Sequence, residues 1–162
     1  MLGSLFQDVE TTGFIAARTI TSSVQFSFRV IRANAGLMYS LFLVMAGGAV
    51  GSGARFLTGR ALASLFGADF PWGTLAVNLI GGFLMGALVG VLARAAGSAE
   101  QWRLLIAVGM LGGFTTFSAF SLDVVTMIER GDLTSMALYV GTSVIGSCAA
   151  VFAGLTLTRI AA

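Results

Sequence analysis

The run from Leu104 to Met127 is apolar and of a length that suits a membrane-crossing helix. Its middle, however, reads Gly109-Met110-Leu111-Gly112-Gly113-Phe114-Thr115-Thr116-Phe117-Ser118-Ala119-Phe120. Paired glycines and paired threonines are poor helix material, each glycine costing about 1 kcal/mol relative to alanine. An unwound backbone in hydrocarbon leaves amides and carbonyls without partners, so a break survives only where protein or a water-filled path surrounds it. Interrupted helices at membrane depth are where ion and substrate sites form, with freed carbonyls for cations and helix N-termini for anions. The stretch predicts permeation in place of catalysis.

The rest of the chain supplies the membrane context. Of its 162 residues, 57% are hydrophobic and 10% charged, more apolar surface than a soluble domain of this length can hide. About 20 apolar residues cross a bilayer as a helix, and spans are expected at 39–57, 72–93, 103–129 and 134–157. The predicted fold class is all-α, a four-helix multi-pass membrane protein with a broken third helix. The chain has no histidine and no lysine, and no nucleophile–base pair stands out, so an enzyme is not expected. A dispersed net charge of +2 gives no footing for a nucleic-acid partner. Cys148 lies inside an apolar segment and reads as a small packing residue.

Residues 1–37 differ in character, with Asp8 and Glu10 early, Arg18, Arg29 and Arg32 later, and no apolar core of the secretory type. Two readings stay open: an amphipathic surface helix, or an extension outside the native chain, with Met38 opening a compact channel domain over 38–162. In the first span Gly47 and Gly51 have the spacing of close helix contact. A phosphate loop is excluded there, because it requires a lysine. Residues 58–69 read as a short connecting helix. Pro71 stands where a helix begins, and Trp72 reads as an interfacial anchor.

In the second span Gly82, Gly86 and Gly90 form a flat stripe, and Thr74 and Asn78 share a face. Asn78 has two readings, interhelical glue or an N–H donor aimed at a permeating anion. Residues 94–102 read as a polar loop. In the third span Gly109 and Gly113 repeat the packing spacing, and Phe117, Phe120 and Asp123 follow one face beyond the break. Gly131 and Asp132 make a turn. In the fourth, Tyr139, Ser143 and Ser147 form a hydroxyl stripe, although isolated serines in membrane helices commonly bond their own backbone.

Four spans put Arg94, Arg103 and Arg159 on one side and Arg55, Arg60 and Arg130 on the other. This balance leaves the positive-inside rule nothing to choose between, so copies inserted in opposite senses can pair. Arg29 and Arg32 of the extension would tip the balance.

The motifs at Gly47-Gly48 through Arg55, at Pro71-Trp72-Gly73-Thr74 through Asn78 and Gly81-Gly82, and at Gly112 through Phe120 closely resemble the CrcB/Fluc family of small fluoride channels. The likeness covers about residues 40–160. It implies an antiparallel, dual-topology homodimer in a prokaryotic inner membrane, exporting fluoride passively through two pores. Asn78 matches the family's pore asparagine, Phe117 and Phe120 its phenylalanine box, and Tyr139, Ser143 and Ser147 its polar track. Arg55 matches the vestibule arginine, and the carbonyls of Gly112 and Thr115 match a central structural sodium site. Asp123, Ala119 and Phe114 depart mildly from the pattern.

The chemistry suits these residues independently. Fluoride holds its water tightly, so a pore must replace that shell with donors, which Thr74, Asn78, Thr116, Ser118 and the Tyr139 stripe supply. Phenylalanine edges are electropositive, and conduction requires sites weak enough to leave. A negative interior expels an anion with about 2.3 kcal/mol per charge per 100 mV. The alternative is a dual-topology, proton-coupled exporter, which needs a deep carboxylate; Asp123 is its candidate. A purely structural subunit leaves the broken stretch unexplained.

Overall fold

A computed structural model describes residues 36–94 and 99–161. The chain divides into two units, Met1–Tyr39 and Ser40–Ala162; the membrane-spanning segments lie in the second, apart from the opening turn of the first helix. The readings of the N-terminal extension fall outside the described residues, apart from Gly36 and Leu37, which open that helix.

The described residues are helical and make four segments long and apolar enough to cross a membrane: Gly36–Phe66, Trp72–Leu92, Ala99–Glu129 and Leu133–Ile160. The first, second and fourth are single helices, α1 (Gly36–Phe66), α2 (Trp72–Leu92) and α6 (Leu133–Ile160). The third is composite: α3 (Ala99–Trp102), a π-helix (Arg103–Leu111), α4 (Gly112–Phe114) and α5 (Phe117–Glu129). Large apolar side chains such as Phe42, Leu57, Ile145 and Phe152 point outward. Water would oppose such a surface and acyl chains accept it.

Three features differ from the sequence reading. α1 does not stop near Leu57 for a separate connecting helix. Gly59 alone does not interrupt the helix, and the Thr58 hydroxyl donates to the Ala54 carbonyl of the same helix at 2.9 Å. The helix ends at Gly67, whose φ of +84° suits glycine and whose N–H closes on the Ala63 carbonyl at 3.0 Å. Residues Ala99–Trp102 are helical and not loop. The π-helix was not foreseen. Its i→i+5 bonding takes more residues per turn, so the segment fits more residues into the same length than an ordinary helix would.

Backbone contact holds the segments together. A Cβ on Gly47 would strike the Leu105 carbonyl and one on Gly51 the Met110 carbonyl, while one on Gly113 would lie 2.7 Å from the Gly48 carbonyl. α1 and the composite segment therefore meet glycine to glycine. α2 and α6 meet glycine to backbone, Gly86 against the Val151 carbonyl and Gly154 against the Phe83 carbonyl. Without a hydrophobic drive between helices in lipid, such close approach is what holds them. Gly81 of α2 sits against the Thr115 side chain, which brings α2 to the junction of α4 and α5.

Candidate functional site

At that junction two residues leave the helix. Thr115 has φ/ψ of −78°/158° and Thr116 −152°/127°, both extended, between Phe114 and Phe117. The extended Thr116 would have an unpaired N–H and C=O in an apolar setting. Asn78 of α2 answers both: its Oδ1 accepts from the Thr116 N–H at 2.8 Å, and its Nδ2 donates to the Thr116 carbonyl at 3.0 Å. A primary amide presents an acceptor and a donor in one plane, so it pairs with one extended residue as a neighbouring strand would. Thr116 is 9% exposed. Its hydroxyl accepts from the Ala119 N–H at 3.2 Å and so caps α5, and it lies 3.3 Å from the Ser118 hydroxyl.

These bonds redirect two amides. In a continuous helix the Gly112 carbonyl would accept from the Thr116 N–H, and the Thr115 carbonyl from the Ala119 N–H. Both donors are engaged elsewhere, by Asn78 and by the Thr116 hydroxyl. Two carbonyls thus lose their helical donors within a few residues, while the Thr115 hydroxyl returns to the Leu111 carbonyl at 2.9 Å. Hard carbonyl oxygens freed in this way suit a hard cation such as sodium.

Beside the junction lies an open groove of about 400 Å³, lined by Asn78, Gly81, Gly82, Met85, Thr115, Thr116, Phe117, Phe120, Ser143, Val144, Ser147, Cys148 and Val151. Phe117 is 78% exposed, and its ring centre lies 5.6 Å from that of Phe120. Phe120 is buried and lies 5.3 Å from Tyr139. Tyr139 is fully buried and its hydroxyl donates to Asp123 Oδ2 at 3.0 Å. The Thr74 and Ser143 hydroxyls are neighbours of that phenol. Ser143 is 5% exposed, and its hydroxyl is the one buried side-chain polar atom left without a partner among the described residues. Such an atom is costly unless a ligand or water meets it.

The structure therefore brings together Asn78, Thr115, Thr116, Phe117, Phe120, Ser143 and Ser147 at one groove, with Thr74 and Tyr139 behind it and Ser118 at its edge. Arg55 and Gly112 do not line it. Of the two readings of Asn78, glue is what the bonds display; one N–H of its NH₂ group is left over. The sequence reading missed Met85 and Cys148 in the groove wall, both apolar in sequence context. It also missed the Asp123–Tyr139 bond, for which the residues' positions on facing helices were the available signal.

The sequence profile of the family described as CrcB-like protein, Camphor Resistance (CrcB), matches residues 42–155. Among similar proteins, one from Chelativorans sp. (strain BNC1) named fluoride-specific ion channel FluC is 56% identical over 122 residues, covering 75% of this chain and 98% of that protein. Those of the same name from Sphingopyxis alaskensis and Agrobacterium fabrum are each 52% identical over 122 residues, again 75% of this chain and 97% and 98% of theirs.

Proposed function

The chain belongs to the CrcB family, and we propose from that premise that it is a fluoride-selective channel which lets the anion leave the cell passively. The relatives are named as ion channels, and channels are not enzymes. The chain is an integral, multi-pass membrane protein; the prokaryotic inner membrane is the proposed location.

The observation that carries this reading is the Asn78–Thr116 pairing beside a groove lined by phenylalanine rings and hydroxyls. The proposed path uses the spare Asn78 N–H, the Phe117 and Phe120 edges, and the Thr74, Thr116, Ser118, Ser143 and Ser147 hydroxyls, with Tyr139, whose proton goes to Asp123, forming the wall behind them. Each is a neutral donor or a weakly positive edge, so fluoride exchanges part of its water shell for contacts it can quickly leave. Arg55 is proposed as a vestibule residue that raises local anion concentration. An open groove with an exposed phenylalanine is half of a wall, and the proposed completion is a second copy inserted in the opposite sense, which the balanced arginines permit.

Gly112 and Thr115 carbonyls from both copies would hold a sodium ion, which supplies a fixed positive charge between the subunits and has no part in transport steps. The redirected amide bonds support this assignment, since those two carbonyls have lost their helical donors. The exporter alternative gains no support: Asp123, the carboxylate it needs, is engaged by the Tyr139 hydroxyl.

The test is fluoride efflux from liposomes holding purified protein, followed with a fluoride electrode. Efflux in the parent that falls in both Phe117→Ile and Asn78→Asp supports the pore. Undiminished efflux in both removes the pore assignment.

A further inference from the structure

The loop between α1 and α2 is the element that the proposed pore does not use, yet it reaches the pore's back wall. Its sequence is Gly67-Ala68-Asp69-Phe70-Pro71. Pro71 has φ/ψ of −80°/59°, and the Trp72 N–H donates across it to the Phe70 carbonyl at 2.8 Å. That is an inverse γ-turn, built on the only proline in the chain, so the loop's exit is fixed by a ring as well as a hydrogen bond. Gly67 with its positive φ fixes the entrance. Both ends of a five-residue connection are therefore set by backbone chemistry, and the residues between them are held in one place.

What the turn holds is the Phe70 ring. It packs against the buried cluster of Phe120, Met127 and Tyr139. Its centre lies 5.5 Å from that of Tyr139 at 83°, edge to face, and 4.6 Å from Trp72. Trp72 in turn lies 5.8 Å from Phe66 at the end of α1. An unbroken series of rings thus runs from Phe66 through Trp72, Phe70, Tyr139 and Phe120 to Phe117 in the groove. A tyrosine ring has two degrees of freedom, and the hydroxyl alone cannot set both. The Tyr139 hydroxyl is tied to Asp123, Phe120 lies against the ring at 42°, and Phe70 meets it at close to a right angle.

We propose that Phe70 is a positioning residue of the anion path: clamped by the Pro71 turn, its ring fixes the Tyr139 ring, and through it the Phe120 ring that lines the groove. It touches neither the groove nor the ion. The proposal rests on the channel reading for its functional consequence, although the Phe70–Tyr139 contact stands apart from it.

The test uses full-length protein with Tyr39→Phe, which leaves Tyr139 the only tyrosine. Ultraviolet resonance Raman of that phenol reports whether its O–H still donates. Phe70→Ala is expected to weaken the donor signature and to slow fluoride efflux by about threefold to tenfold, the range of one aromatic pair. Phe70→Tyr, which keeps an aromatic edge, restores efflux, and Phe70→Trp, which keeps the edge without adding a second phenol, restores both readings. Phe70→Leu, which keeps bulk alone, restores neither. Helix content by circular dichroism stays at the parent level throughout. If Phe70→Ala fails to fold, Phe70→Leu decides by the same two readings. An unchanged tyrosine signature in the variants that lack the ring overturns the proposal, as does full recovery by leucine. A parent that conducts no fluoride counts against the channel reading instead, and the Raman comparison then decides Phe70.

Discussion

Replacing Asn78 tests the bond pair on which the site's geometry rests. Asn78→Ala removes both partners of Thr116, whose backbone is buried. An orphaned buried group costs about 1–3 kcal/mol in a soluble protein. In membranes, measured side-chain hydrogen bonds average about 0.6 kcal/mol and reach about 1.7. The lower range governs here, because the break can respond: with Asn78 gone, the Thr116 N–H can return to the Gly112 carbonyl and re-form the helix. Two bonds then give a loss of about 1–3 kcal/mol, or a fall in Tm of about 2–12 °C for a chain of this size. Asn78→Asp differs in kind. One carboxylate oxygen still accepts from the Thr116 N–H, but the other meets the Thr116 carbonyl at the 3.0 Å now spanned by a donor. Acidification restores an O–H there, so this variant alone should recover stability as the pH falls. The assay is thermal loss of the monodisperse peak of detergent-solubilised protein at two pH values. An Asn78→Ala Tm equal to the parent's, or an Asn78→Asp deficit that does not shrink in acid, refutes the pairing as the support of the break.

Further outcomes rest on the same geometry. Phe117→Ile should slow fluoride efflux while leaving Tm within about 2 °C, since a largely exposed ring contributes little to packing; an equal fall in Tm would mean that it acts through the fold. Gly154→Val should destabilise by about 1–3 kcal/mol or more, read as lost monodisperse protein, because the new Cβ meets the Phe83 carbonyl, a backbone atom that cannot step aside. Asp132 caps α6, and hydrogen bonds from the Ser135 side chain and N–H hold its carboxyl below the usual carboxylate range. A depressed folded value gives stability above the unfolded value that disappears as pH falls through the folded one. Asp132→Ala should therefore lower Tm slightly at pH 7, and the difference should close in strong acid. On the proposed sodium site, replacing sodium with a bulky organic cation should lower the Tm of the purified protein, and an unchanged Tm counts against that site.

Much of this was legible in the chain because membrane packing writes itself in small residues. Gly47 and Gly51, and the Gly82–Gly90 stripe, were readable as contact faces from spacing alone, and each touches a neighbouring helix. The four spans were readable from apolar length, since hydrocarbon thickness sets it. The π-helix was not. Bonding to i+5 leaves no compositional mark, and residues 103–111 suit an ordinary helix equally well. Phe70 was hidden for the opposite reason: a phenylalanine in a loop looks like surface until the backbone turns it inward.

Asn78 shows where the boundary between sequence and structure falls. A lone amide in an apolar helix announces that it needs a partner, but the partner is a backbone 38 residues away. That backbone is available only because Gly112-Gly113 and Thr115-Thr116 make the helix cheap to open. Neither half accounts for the other on sequence evidence alone. An amide without an open backbone would be an unsatisfied polar group, and an open backbone without an amide would close. The two are mutually dependent, so the site is complete only where α2 lies against the composite segment. That dependence is why the carbonyls of Gly112 and Thr115 are freed at the same place where the neutral donors gather.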